Sequence, residues 1–155
     1  MKPVAKNTQS DVDARYRVML VIWFALLSAV AFYFVVGQLV PRPGVDSGPN
    51  KMLTVILTAL GTFMVGVSFV IKQRFLNQSV EQQKVALVQT GFIVAIAMCE
   101  AGALFGLVDL MTTGNRYYFV VMIIAALGIL VHFPRRDHLL AGGYKNQVNE
   151  LEAQG

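Results

Sequence analysis

The chain has 155 residues, of which 55% are hydrophobic and only 14% are charged, and its formal net charge is +4. A soluble domain carries about 25% charged residues, so this composition excludes an ordinary soluble protein and indicates an integral membrane protein. The basic residues lie between apolar runs rather than in one patch. We therefore interpret them as topology signals and expect no nucleic-acid partner.

The first predicted elements are a polar segment at residues 1–17 and an apolar run at residues 18–40. The run is longer than the apolar region of a signal peptide, about 7 to 15 residues, and no small-x-small pattern ends it. We therefore expect a short cytoplasmic tail followed by an uncleaved membrane helix. Residues 41–50 are rich in Pro and Gly, which predicts a short exposed loop.

The second predicted span covers residues 52–71 and has small residues three or four positions apart. These are Thr54, Thr58, Gly61, Thr62, Gly66 and Ser68. Such spacing lets another helix approach closely, which is how membrane helices associate without a hydrophobic driving force. The polar connection that follows, residues 72–84, contains no Pro or Gly and can continue either neighbouring helix.

Two further spans are predicted at residues 85–110 and 117–133, joined by a tight turn and followed by a polar tail at 134–155. Ten Lys and Arg residues lie in the two tails and the 72–84 connection, against three in the other two loops. This excess favours both termini in the cytoplasm. The prediction is an all-α multi-pass protein of the bacterial inner (plasma) membrane, with four transmembrane helices in an up-down bundle.

Glu100 is the only charged residue between positions 89 and 108, midway along the third predicted span. Ionising a carboxyl group at mid-membrane costs at least about 2.5 to 3.5 kcal/mol on insertion scales. Such a residue is therefore a candidate functional residue by default. No Lys, Arg or His lies deep in any span, and we expect Glu100 to be protonated for much of the time near neutral pH. Gln89 lies on the same side of the helix. The candidate hydrogen-bond partners in the second span are Thr58, Thr62 and Ser68.

The segment Ile96-Ala-Met-Cys-Glu-Ala-Gly-Ala-Leu-Phe-Gly-Leu-Val108 resembles the carboxylate-bearing helix of the ring-forming proteolipids of rotary ATPases, subunit c of ATP synthase and its vacuolar-type relatives. In that family the Glu binds the transported ion at mid-membrane, so the resemblance implies an ion-binding role for Glu100. Sodium-binding members usually have hydroxyl groups just after the carboxylate and a Tyr five residues on. Ala101, Gly102 and Phe105 occupy those positions here, so the implied ion is a proton. The resemblance is confined to the third span.

Small residues also favour close helix packing along the third span, where Gly102 and Gly106 repeat at the appropriate interval beside Ala97 and Ala101.

Three functions remain open. In the first, the chain is a small subunit of a multisubunit membrane complex and takes part in proton translocation through Glu100. In the second, it is a non-catalytic structural or assembly subunit in which Glu100 bonds a neighbouring helix permanently. In the third, it is a small proton-coupled transporter.

The sequence contains no phosphate-binding glycine motif, no nucleophile triad and no metal-binding cluster of Cys and His. We therefore expect no catalytic residues, no metal, no cofactor and no enzymatic activity. The expected partners are membrane lipids together with other membrane subunits or further copies of this chain.

Overall fold

The computed structural model describes residues 4–39, 50–82 and 84–141, and this part of the chain is all helical. The five helices, in chain order, are α1 (Val4–Leu39), α2 (Lys51–Gln82), α3 (Val85–Thr113), α4 (Phe119–Val131) and α5 (Arg136–Ala141). The predicted loop at 41–50, apart from its last residue, and the end of the predicted C-terminal tail at 142–155 lie outside the described residues.

Three of the helices are long and apolar enough to cross a membrane: the Val12–Leu39 part of α1, the whole of α2 and the whole of α3. Large hydrophobic side chains are exposed along their length, for example Val21 and Phe24 on α1 and Val55 and Phe63 on α2. Water disfavours contiguous apolar surface of this kind, whereas lipid does not. These are the properties of an integral membrane protein.

The fourth apolar helix is shorter than a full span. α4 has 13 residues, which cover about 20 Å at 1.5 Å per residue, against a hydrocarbon thickness of about 30 Å. Its last carbonyl groups are bonded by side chains. Trp23 Nε1 donates to the Ile129 oxygen at 2.8 Å, and His132 Nδ1 lies 2.6 Å from the Gly128 oxygen. Together with the backbone N–H of His132, these bonds satisfy carbonyl groups at the end of α4.

α3 is the central helix and packs against α1, α2 and α4. Its most extensive contact is with α2, to which it runs antiparallel, and α1 packs on the α3–α4 pair from another side. The buried side chains form two clusters. One contains Val30, Val65, Cys99, Met122 and Ile129, and the other contains Met19, Val88, Phe92, Ile96 and Leu139.

Glycines set the distance between the central helices. A Cβ atom on Gly102 would lie 2.9 Å from the backbone oxygen of Gly61, and one on Gly61 would lie 3.0 Å from the backbone oxygen of Gly102. A Cβ atom on Gly106 would lie 3.0 Å from the backbone oxygen of Tyr118, in the turn before α4. Each distance is shorter than ordinary van der Waals contact, so these positions need the absence of a side chain.

The other predicted packing residues lie closer to the outer surface. A Cβ atom on Gly66 would meet no atom of the described chain within 4 Å, and Ala97 is exposed. Ala101 is partly exposed. These three residues therefore lie away from the closest helix contacts within this chain.

The helices extend beyond the apolar runs at several places. α1 begins at Val4 in the predicted tail, and α2 continues through the polar connection to Gln82 because no Pro or Gly interrupts it. α3 ends at Thr113, where Gly114 adopts the left-handed φ of 65° that favours glycine. The short helix α5 lies in the segment predicted as a polar tail.

At one end of the packed helices lie the start of α1, the end of α2, the start of α3 and the helix α5. Arg136 of α5 pairs with Asp13 of α1 (Nη1 to Oδ1, 3.4 Å) and lies 4.8 Å from the ring centroid of Tyr16. Arg15 donates to Gln89 Oε1 at 3.2 Å. We call this the basic end, and the end at which α2 and α4 begin the opposite end.

Candidate functional site at Glu100

Glu100 lies about midway along α3, which runs over 29 residues. Residues three before and four after it share its face of the helix. These are Ala97 and Leu104, and both are exposed, whereas Glu100 itself is partly buried. The carboxyl group therefore lies at the edge of the contact between α3 and α1, beside a surface that faces outwards.

Tyr33 is the polar partner of this carboxyl group. Its hydroxyl donates a hydrogen bond of 2.8 Å to Glu100 Oε1 and joins α1 to α3. The sequence reasoning placed the partner in α2 and missed Tyr33. The available signal was the phenol itself, since the hydroxyl of a tyrosine within an apolar helix needs a hydrogen-bond partner.

Within the described residues, this is the only polar contact of Glu100. An ionised carboxylate has about four acceptor positions, so most of its hydrogen-bonding capacity is open. No basic side chain of the described chain forms an ion pair with it. The carboxyl group can therefore accept a proton, or a donor from another molecule, without first losing an internal cation.

The predicted supporting residues lie elsewhere. Gln89 accepts a hydrogen bond from Arg15 at the basic end. Thr58 and Thr62 line an open, mostly apolar groove of about 750 Å³ between α2 and the start of α4. Ser68 is fully buried and belongs to a separate cluster. The structure thus does not bring these four side chains to Glu100.

The Ser68 cluster joins three helices through buried polar atoms. Ser68 Oγ donates to the Val65 oxygen at 2.6 Å and lies 3.3 Å from Cys99 Sγ and 3.5 Å from His132 Nε2. Since His132 Nδ1 faces the carbonyl oxygen of Gly128, it must be a donor. Ser68, Cys99 and His132 are all 0% exposed, so this cluster stabilises the packing of α2, α3 and α4 and is closed to a substrate.

Asp109 is a second carboxylate in α3 that the sequence reasoning overlooked, because it lies within the run treated as apolar. It is 1% exposed. Thr113 Oγ1 donates to Asp109 Oδ1 at 2.8 Å, and Asn115 Nδ2 donates to Oδ2 at 2.6 Å. The spacing of Asp109 and Thr113, one helical turn apart just before Gly114, was the available signal. Both carboxylate oxygens of Asp109 accept hydrogen bonds that stabilise the turn from α3 to α4. Glu100, in contrast, accepts one hydrogen bond, from Tyr33.

The described residues contain no group of three or more His, Cys, Asp or Glu side chains that could hold a metal ion. No protein-family model, curated protein or solved structure matches this chain. The fold defines the class of protein, an all-helical chain with three helices able to cross a membrane.

Proposed function

We propose that this protein is an integral membrane subunit that takes up and releases a proton at Glu100. The observation that carries the proposal is the position of this carboxyl group: midway along a helix able to cross the membrane, partly exposed, and bonded within the described chain only to Tyr33. Ionisable residues at such depth are costly and mark ion pathways in many membrane proteins.

The surroundings of Glu100 suit a change of protonation state. The Tyr33 hydroxyl is the one polar group of the described residues that contacts Glu100, and either form of the carboxyl group can accept its hydrogen bond. Neither form requires another side chain of the described chain to move. Asp109 differs, because both of its carboxylate oxygens already have partners, in Thr113 and Asn115.

Proton translocation also requires a charge that meets the site during the cycle. In this proposal, the cation comes from a partner subunit that approaches the exposed face of α3 at Ala97 and Leu104. The resemblance of the third span to ring-forming proteolipids supports the same role. We place both termini in the cytoplasm, with the basic end at the inner face of a bacterial plasma membrane.

The second candidate function is that of a structural subunit. The Tyr33 to Glu100 hydrogen bond favours it, because this bond ties α1 to the central helix. Interhelical hydrogen bonds in membranes average about 0.6 kcal/mol, so a permanent tie would contribute modestly to the packing of α1.

Labelling with a hydrophobic carbodiimide distinguishes the two functions, because the reagent modifies protonated carboxyl groups that lipid can reach. The protein is labelled in membranes from mildly acidic to alkaline pH and analysed by mass spectrometry, with Glu100→Gln as the control. We expect labelling at Glu100 that decreases as the pH rises. Asp109, which is buried and bonded through both oxygens, serves as an internal control and stays unlabelled. Absence of labelling at Glu100 at every pH would favour the structural function.

A further inference from the structure

Two cationic side chains from different segments meet at the basic end of the bundle. Lys72 of α2 is partly buried, Arg135 lies between α4 and α5, and both line the same small cavity. Arg135 is close enough for its charge to act on the Lys72 ammonium group. Because two like charges repel each other beside a low-dielectric surface, an anion bound between them would stabilise this arrangement.

The described part of the chain does not supply that anion. Asp13, on the adjoining part of α1, pairs with Arg136 at 3.4 Å. Neither Lys72 nor Arg135 forms an ion pair with a residue that the structure describes. The charge that acts on Lys72 is that of Arg135, and Lys72 in turn acts on the buried His132. The net charge of the described groups around Lys72 and Arg135 is therefore positive.

Lys72 lies about one hydrocarbon thickness along α2 from the start of its apolar run, the level at which lipid headgroups begin. The stretch from Met52 to Lys72 covers about 30 Å at 1.5 Å per residue, which is about the thickness of the hydrocarbon core. Leu76 and Phe92 line the cavity beside the lysine, so its methylene groups lie against apolar surface while the ammonium group reaches the interface.

We propose that Lys72 and Arg135 form a binding site for a phosphate group, carried by an anionic phospholipid at the membrane surface. The cavity between them, about 10 Å³, has room for about one water-sized group, so the phosphate lies over its mouth. A guanidinium group can bind two phosphate oxygens at once, and the ammonium group adds a compact charge. Phe133, which is 44% exposed, provides apolar surface for the lipid chains.

Native mass spectrometry of the full-length protein in detergent tests this site. The protein is titrated separately with phosphatidylglycerol, with phosphatidylcholine and with inorganic phosphate. The test variant is Lys72→Gln with Arg135→Gln. Its matched control, Lys51→Gln with Arg116→Gln, removes the same charge from exposed positions at the opposite end. We expect phosphatidylglycerol to bind in preference to phosphatidylcholine. The test variant should weaken its binding about thirtyfold, or roughly fivefold for each cation, and the control should leave it unchanged.

A charge-preserving variant, Lys72→Arg with Arg135→Lys, guards against a loss of folding and should retain binding of phosphatidylglycerol. If inorganic phosphate alone binds, and the Lys72 and Arg135 substitutions abolish that binding, the phosphate site is confirmed and its ligand is a free phosphate anion. Equal weakening in the test variant and in the control at the opposite end would show unspecific attraction to the net charge and overturn the proposal. Unchanged lipid binding in the test variant would overturn it as well.

Discussion

A methyl group added at Gly102 should loosen the packing of α2 against α3. Its carbon would lie 2.9 Å from the backbone oxygen of Gly61 and 3.1 Å from Val65 Cγ2, whereas ordinary contact begins at 3.4 Å. The helices must therefore separate by about half an ångström. Because the first contact is with backbone, no change of rotamer relieves it. Overpacking of this kind typically costs about 1 to 3 kcal/mol.

Gly66→Ala is the matched control for Gly102→Ala. Both substitutions gain the same intrinsic helix propensity, up to about 1 kcal/mol, but a Cβ atom on Gly66 meets nothing within 4 Å in the described chain. The difference between the two variants therefore isolates the steric cost. Unfolding in mixed micelles can be followed by the fluorescence of Trp23, the single tryptophan, whose ring packs edge-on against Phe133 with centroids 5.2 Å apart.

We expect Gly102→Ala to be less stable than Gly66→Ala by about 1 to 3 kcal/mol. Equal stability of the two variants would refute the close approach of α2 and α3, since a half-ångström shift cannot occur without loss of contacts along the whole helix pair.

Three further substitutions test the polar contacts. Tyr33→Phe should cost about 0.6 kcal/mol and speed carbodiimide labelling of Glu100 at a fixed pH, because the carboxyl group loses the hydroxyl that is bonded to it; an unchanged labelling rate would argue against their contact. Ser68→Ala should cost about 0.6 to 1.7 kcal/mol in the same unfolding assay, since it removes the group that lies between Cys99 and His132, and a neutral effect would contradict that cluster. Asp109→Ala should cost about 1 to 3 kcal/mol, because it removes the acceptor of the Asn115 amide in the turn; wild-type stability would show that the turn does not depend on the carboxylate.

The all-helical fold was predictable from composition and from the length of the apolar runs, and the structure confirms it, with three helices able to cross a membrane. The four-span bundle with both termini in the cytoplasm stays a prediction. α4 shows why run length alone is insufficient. Its helix stops at Val131, three residues before Pro134, which cannot continue a helix. The bond from Trp23 to the Ile129 oxygen joins distant positions and leaves no local sequence signal.

Glu100 was a candidate from the sequence because a charge within an apolar run is conspicuous, but local spacing did not show which helix supplies its partner. The glycine contact between Gly61 and Gly102 fixes which face of α3 meets α2. Cys99 points towards Ser68 of α2, and each residue advances about 100° around a helix. Glu100 is therefore turned from α2 towards Tyr33 of α1. Such helix rotations depend on packing among all the helices, which local spacing does not encode.

The most direct test of proton binding at Glu100 is infrared spectroscopy of the protein in lipid membranes as the pH is varied, comparing the native chain with Glu100→Gln. The carbonyl stretch of a protonated carboxyl group reports its protonation state without a reagent. We predict a band that is present at low pH, disappears reversibly as the pH rises, and is missing from the Glu100→Gln variant. A native spectrum identical to that of the variant at every pH, or a Glu100 band that persists unchanged throughout, would contradict the exchange of a proton at this site.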